Sequence, residues 1–196
     1  MSRILLSVLI GLSIISANTW AGNDFVVAAL NQTDFDVARQ AAANKLKSTA
    51  LEEIGYFQQQ SFSLQFTDGA KLSILTGKGS ARNAEGIMTN MCFVALVPAA
   101  APADLIFTVG TGSWEAVSCT GVDAVGFLEN ARSEYPWIAL LYSAQSPNAE
   151  SKPSVILGWN GKAKAYQIDE ATSAKADDIP DRSIRGIKSF LRTKQK

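Results

Sequence analysis

The sequence predicts an α+β fold, a mainly antiparallel sheet built of hairpins with N-terminal, middle and C-terminal helices packed on it. Three observations lead there. Alternating apolar and polar runs meet at the turn signals Asp68-Gly69 and Asn160-Gly161. Stretches with a 3.6-residue apolar period stand near the start, middle and end of the chain. Hairpins, not strand–helix–strand units, fill the space between them.

Residues 1–21 read as a secretory signal peptide. Arg3 supplies the positive start, residues 4–15 the apolar stretch, and Thr19 and Ala21, on either side of Trp20, the small residues at the two positions a signal peptidase reads. The apolar stretch is too short to cross a hydrocarbon core of ~30 Å as a helix. Residues 22–196 are then expected to form one globular domain without a membrane span.

The first element of that domain is expected to be helical. Thr33 and Asp36 suggest a capping box, and Phe35, Ala38, Ala42 and Leu46 repeat at helical spacing. Leu51 and Ile54 extend this helix or start a second, which Gly55 ends. A hairpin follows. A two-residue turn at Asp68-Gly69 would pair Phe66 with Lys71, mixing an apolar face with a polar one. A three-residue loop pairs Phe66 with Ala70, Leu64 with Leu72 and Phe62 with Ile74, and puts Gly69 in the left-handed position. Residues 77–90 read as a long loop. Strands are expected at 92–97, 105–109 and 114–119.

Thr120 and Asp123 suggest a second capping box, followed by the stripe Ala124, Phe127, Leu128 and Ala131, hence the middle helix. Pro136 stops it. Residues 137–142 are apolar throughout and predict a central strand covered on both faces. Residues 144–153 read as an exposed loop, and 154–159 with 162–169 as a hairpin about Asn160-Gly161. Residues 171–181 read as irregular. A final helix spans about 181–192, with Ile184, Ile187 and Leu191 inward, and the helices are expected on one face of the sheet.

The 196 residues carry 18 basic and 18 acidic side chains and no histidine. The balanced charge argues against a dedicated nucleic-acid-binding domain. Lack of histidine excludes Ser-His-Asp and Cys-His hydrolases, histidine-ligated zinc and imidazole acid–base catalysis. Cys92 and Cys119 are the only cysteines, and in an oxidising compartment such a pair is expected to be a disulfide. No metal or cofactor is implied.

Several motifs fail on spacing. Residues 77–80 (Gly-Lys-Gly-Ser) lack the separation a phosphate loop needs. Residues 110–114 lack the strand-to-helix turn of a nucleophile elbow. A Ser173–Lys175 dyad lies in a polar stretch with nothing to desolvate the lysine. Asn31-Gln32-Thr33 matches a glycosylation sequon. The acids Asp169, Glu170, Asp177, Asp178 and Asp181 precede the last helix, where they favour its positive end.

The resulting expectation is a secreted or periplasmic, non-enzymatic protein that binds a protein partner, most specifically an inhibitor or toxin-immunity protein. The partner-binding candidates are Lys78 and Arg82 in the 77–90 segment, Trp159 beside a turn, and Arg182, Arg185 and Lys188 on the basic last helix. The alternatives are a carboxylate-based hydrolase of envelope polysaccharide using Asp169, Asp177 or Asp178, and a carrier of a small apolar ligand between sheet and helices.

Overall fold

A computed structural model describes residues 25–82, 86–130 and 133–194. The expected signal peptide, its cleavage site and Ala131 lie outside them. The elements in order are β1 (Phe25–Ala29), α1 (Gln32–Leu46), β2 (Glu52–Tyr56), β3 (Phe62–Phe66), β4 (Lys71–Arg82), β5 (Met88–Pro98) and β6 (Asp104–Phe107). There follow β7 (Ser118–Leu128), β8 (Trp137–Ser146), β9 (Ala149–Ser151), β10 (Ser154–Asn160), β11 (Ala165–Ile168), α2 (Glu170–Asp177) and α3 (Ile184–Lys194). The α+β class holds, with antiparallel pairing in every ladder.

There are two sheets, and the side-chain alternation of their strands shows how they stack. The first runs β1-β3-β4-β5-β6, with β2 also on β4; the second runs β11-β10-β8-β7, with β9 on β8. Along β5, Cys92, Val94 and Leu96 point into a core shared with Ile138, Leu140 and Tyr142 of β8 and Val155 and Leu157 of β10. Successive residues of a strand face opposite ways. Accordingly Phe93, Ala95 and Val97 meet Phe35, Ala38, Ala42 and Leu46 of α1 on the other side. Ala139, Leu141 and Ile156 meet Ala176 of α2 and Ile187 and Leu191 of α3. The order of layers is therefore α1, first sheet, second sheet, α2 with α3. The helices cover opposite outer faces, not one face as expected from sequence, because both sheets are apolar on both sides.

The Cys92–Cys119 disulfide joins β5 to β7, and so one sheet to the other, with Cα atoms 5.6 Å apart. The first hairpin has the expected register: Phe62 faces Ile74, Leu64 faces Leu72, and Phe66 N–H donates to Ala70 O at 2.9 Å. Gly69 has φ +86°, the left-handed conformation that glycine adopts at little cost. The apolar α1 stripe is as expected, but Asn31 caps it: its side chain accepts from Asp34 N–H at 2.9 Å. The asparagine of the sequon is thus occupied locally. Strand β8 is covered on both faces, as its unbroken apolar run predicts.

Other expectations are corrected. The first described element is strand β1, and residues 52–56 form β2 instead of more helix. The expected loop at 77–90 is mostly strand, in β4 and β5. Its small residues mark close approach: a Cβ on Gly77 would strike the Phe93 ring and Gly55 O, and one on Gly79 would meet Glu52 O and Leu51. Of the expected strand at 114–119, Trp114 ends a 3-10 turn (Gly112–Trp114) and only Ser118 and Cys119 are strand, the start of β7.

Among the described residues no middle helix forms; Thr120 to Leu128, its expected first part, belong to β7. Register breaks between Cys119 and Gly121 and between Val122 and Ala124 shift the strand's phase. Cys119, Val122, Val125 and Phe127 face the shared core, whereas Ala124 and Leu128 pack on the α2–α3 side, so the expected helical stripe joins the two apolar faces of one strand. Residues 144–153 are the end of β8 and β9, a continued hairpin and not a loop. The β10–β11 hairpin forms, but Asn160 still belongs to β10, and Lys164 takes the left-handed conformation at φ 51°. Asn160 organises the turn by accepting from Lys162 N–H and Ala163 N–H at 3.0 and 3.1 Å. Within 171–181, expected to be irregular, α2 (Glu170–Asp177) takes up the first part: its buried residues are only Ser173 and Ala176, too small to print an amphipathic stripe.

Candidate functional site

Helix α3 carries the most concentrated set of the sequence-predicted residues. Ile187 and Leu191 are buried and Ile184 packs beside them, which fixes the rotation of the helix on the second sheet. Gly126 of β7 lets Ile184 in; a Cβ there would strike the isoleucine side chain. With that face held down, Arg185, Lys188, Ser189, Arg192 and Thr193 stand at i, i+3, i+4, i+7 and i+8 on another face. They line one concavity of about 450 Å³.

The helix contains no acidic residue, and Arg185 and Arg192 are exposed. Neither Arg185 nor Arg192 is held in an ion pair among the described residues. The face therefore presents fixed positive charge with the Ser189 hydroxyl beside it, while Thr193 Oγ1 donates to Phe190 O at 2.6 Å; such a face attracts carboxylate or phosphate groups. Arg182 is exposed just before the helix and does not line the concavity. Ser189 and Thr193 went unread in the sequence, because a hydroxyl on a helix face gives no signal until its neighbours are placed.

The remaining candidates lie elsewhere. Lys78, in the middle of β4, donates to Thr120 O at 3.4 Å and so links the two sheets. Arg82 ends β4 and donates to Gly86 O at 2.9 Å. Near it Ile87 and Met88 are 56% and 41% exposed, an apolar pair the sequence reading passed over. Trp159 stacks on Tyr135 with ring centroids 3.9 Å apart, and Tyr166 meets it edge-on at 5.4 Å. Phe66 of the first sheet touches Tyr135 in turn, so this cluster ties the sheets together at one end.

The carboxylates named for hydrolysis have backbone duties. Asp169 caps α2, accepting from Thr172 N–H at 2.9 Å and Thr172 Oγ1 at 2.8 Å. Asp177, at the other end of that helix, accepts from Ser154 N–H at 2.6 Å. Ser173 is buried, donating to Asp169 O and accepting from Ile156 N–H. No group of three or more metal-ligating side chains occurs among the described residues. No helix among them is long and apolar enough to cross a membrane.

No family model, curated protein or solved structure matches this chain.

Proposed function

We propose that the protein is exported to the periplasm or the extracellular space and acts there by binding an acidic protein partner through α3, as an inhibitor or immunity protein does. The observation that carries this reading is the concave face of Arg185, Lys188, Ser189, Arg192 and Thr193 on a helix without acids. The inter-sheet disulfide suits an oxidising compartment. A rigid scaffold under the face favours binding, because little ordering is lost on association. The hydrolase alternative has weaker support, since Asp169 and Asp177 are committed to backbone N–H groups at opposite ends of α2. The test is affinity capture by the mature chain, in parallel with Arg185→Glu/Arg192→Glu. A stoichiometric protein partner lost on charge reversal supports the proposal; a partner retained by the variant, or none at all, rejects it.

A further inference from the structure

A second binding site lies on the opposite outer layer. Helix α1 turns Phe35, Ala38, Ala42 and Leu46 onto the first sheet, and the next face round the helix forms one wall of a groove. Asp36, Arg39, Gln40, Ala43 and Lys47 line that wall; Leu51, Ile54 and Tyr56 line the other. The volume is about 670 Å³, within the range of small-molecule sites. Ala43, Leu46, Leu51 and Ile54 make an apolar bed, and Ile54 is 38% exposed.

The polar groups select the head of a ligand. Asp36 and Arg39 neutralise each other at 3.1 Å, and the other Asp36 oxygen accepts from Gln32 Nε2 at 2.9 Å. Lys47 gives the lining its net positive charge and spends one N–H on Asn44 Oδ1 at 3.2 Å; its other ammonium N–H groups and those left on the Arg39 guanidinium are donors for a ligand. The Tyr56 hydroxyl is covered and has no hydrogen-bond partner. Burial holds its pKa above 10, and the nearby Arg39 charge opposes the shift. An added strand is a poor occupant. Strand β2 is short, carries Glu52 and Glu53, and breaks register at Glu53, whose φ is +49°. These features block regular pairing at a sheet edge.

The geometry points to a site for an amphipathic carboxylate, an acyl or aryl body lying on Ala43, Leu46, Leu51 and Ile54 with its anionic head at Arg39. The probe is decanoate below its micelle concentration, titrated into the mature chain and followed by backbone amide NMR. Decyltrimethylammonium, the same tail with opposite charge, is the control. The expected result is saturable shifts within residues 36–56, affinity at least tenfold weaker for the cation, and at least fivefold loss with Arg39→Gln. Equal affinity for the two probes, shifts outside the groove, or no saturation overturns the proposal. Arg39 is on the surface, so the variant's amide spectrum also verifies its fold. The site is remote from α3, and neither proposal depends on the other.

Discussion

The hydroxyls of Thr108 and Tyr142 lie 2.9 Å apart inside the core between the two sheets, and Thr108 also reaches the Cys92 carbonyl at 3.1 Å. Both residues are fully buried. The two deletions should therefore differ. Thr108→Val strands the Tyr142 hydroxyl and costs about 1–3 kcal/mol. Tyr142→Phe leaves Thr108 bonded to Cys92 O and costs about 0.5–1.5 kcal/mol. Urea unfolding of the two variants gives the order; a reversed ranking contradicts this account of the pair.

The disulfide beside that pair closes a loop of 27 residues. In the chain-entropy view it restrains the unfolded chain by about 3–4 kcal/mol. Replacing both cysteines by alanine should lower stability by that order while preserving the fold. Denaturant midpoints measure it, and an unchanged midpoint means the link restrains little.

All four tyrosines are held above 10. Burial is the first cause in each case, with the Glu134 and Asp68 charges adding to it at Tyr135. The folded state therefore keeps phenol protons that the unfolded chain releases above pH 10. Stability should be unaffected by these groups below pH 10 and fall as pH rises beyond it. In near-ultraviolet titration, the phenolates of Tyr142 and Tyr166 should appear only together with loss of structure. Reversible ionisation of all four near pH 10 in the folded chain would disprove this.

Gly126 and Ile184 set the seat of α3. Gly126→Ala forces its new methyl into the isoleucine and should destabilise by about 1–3 kcal/mol. Ile184→Ala in the same chain should relieve part of that cost, giving a favourable coupling in a double-mutant cycle. Additive effects would show that the two side chains do not compete.

What the sequence discloses depends on whether a pattern stays in phase. The Phe62–Ile74 hairpin and the α1 stripe are uninterrupted, and their register and inward face are legible. Strand β7 is not, because it is apolar on both faces: Phe127 meets one core and Ala124 and Leu128 the other, and together they read as a helical stripe. Gly77 and Gly79 imitate a loop, since the requirement they meet comes from Phe93 and Leu51, distant in sequence or outside the strand. Helix α2 lacks any long apolar side chain facing the sheet. The basic character of α3 is readable from its arginines and lysines, whereas the α1–β2 groove is not: it arises from elements that meet only after folding.

The most direct test of the central claim is a comparison of partner capture by three chains spanning residues 22–196. These are wild type, Arg185→Glu/Arg192→Glu, and a control reversing Lys162 and Lys164 in the β10–β11 turn, with the same change in net charge. The account predicts one protein partner recovered by wild type and control, weakened by salt, and reduced at least tenfold by reversal on α3, where like charges would then face each other. Equal recovery by all three chains, or equal loss in both reversals, would contradict it.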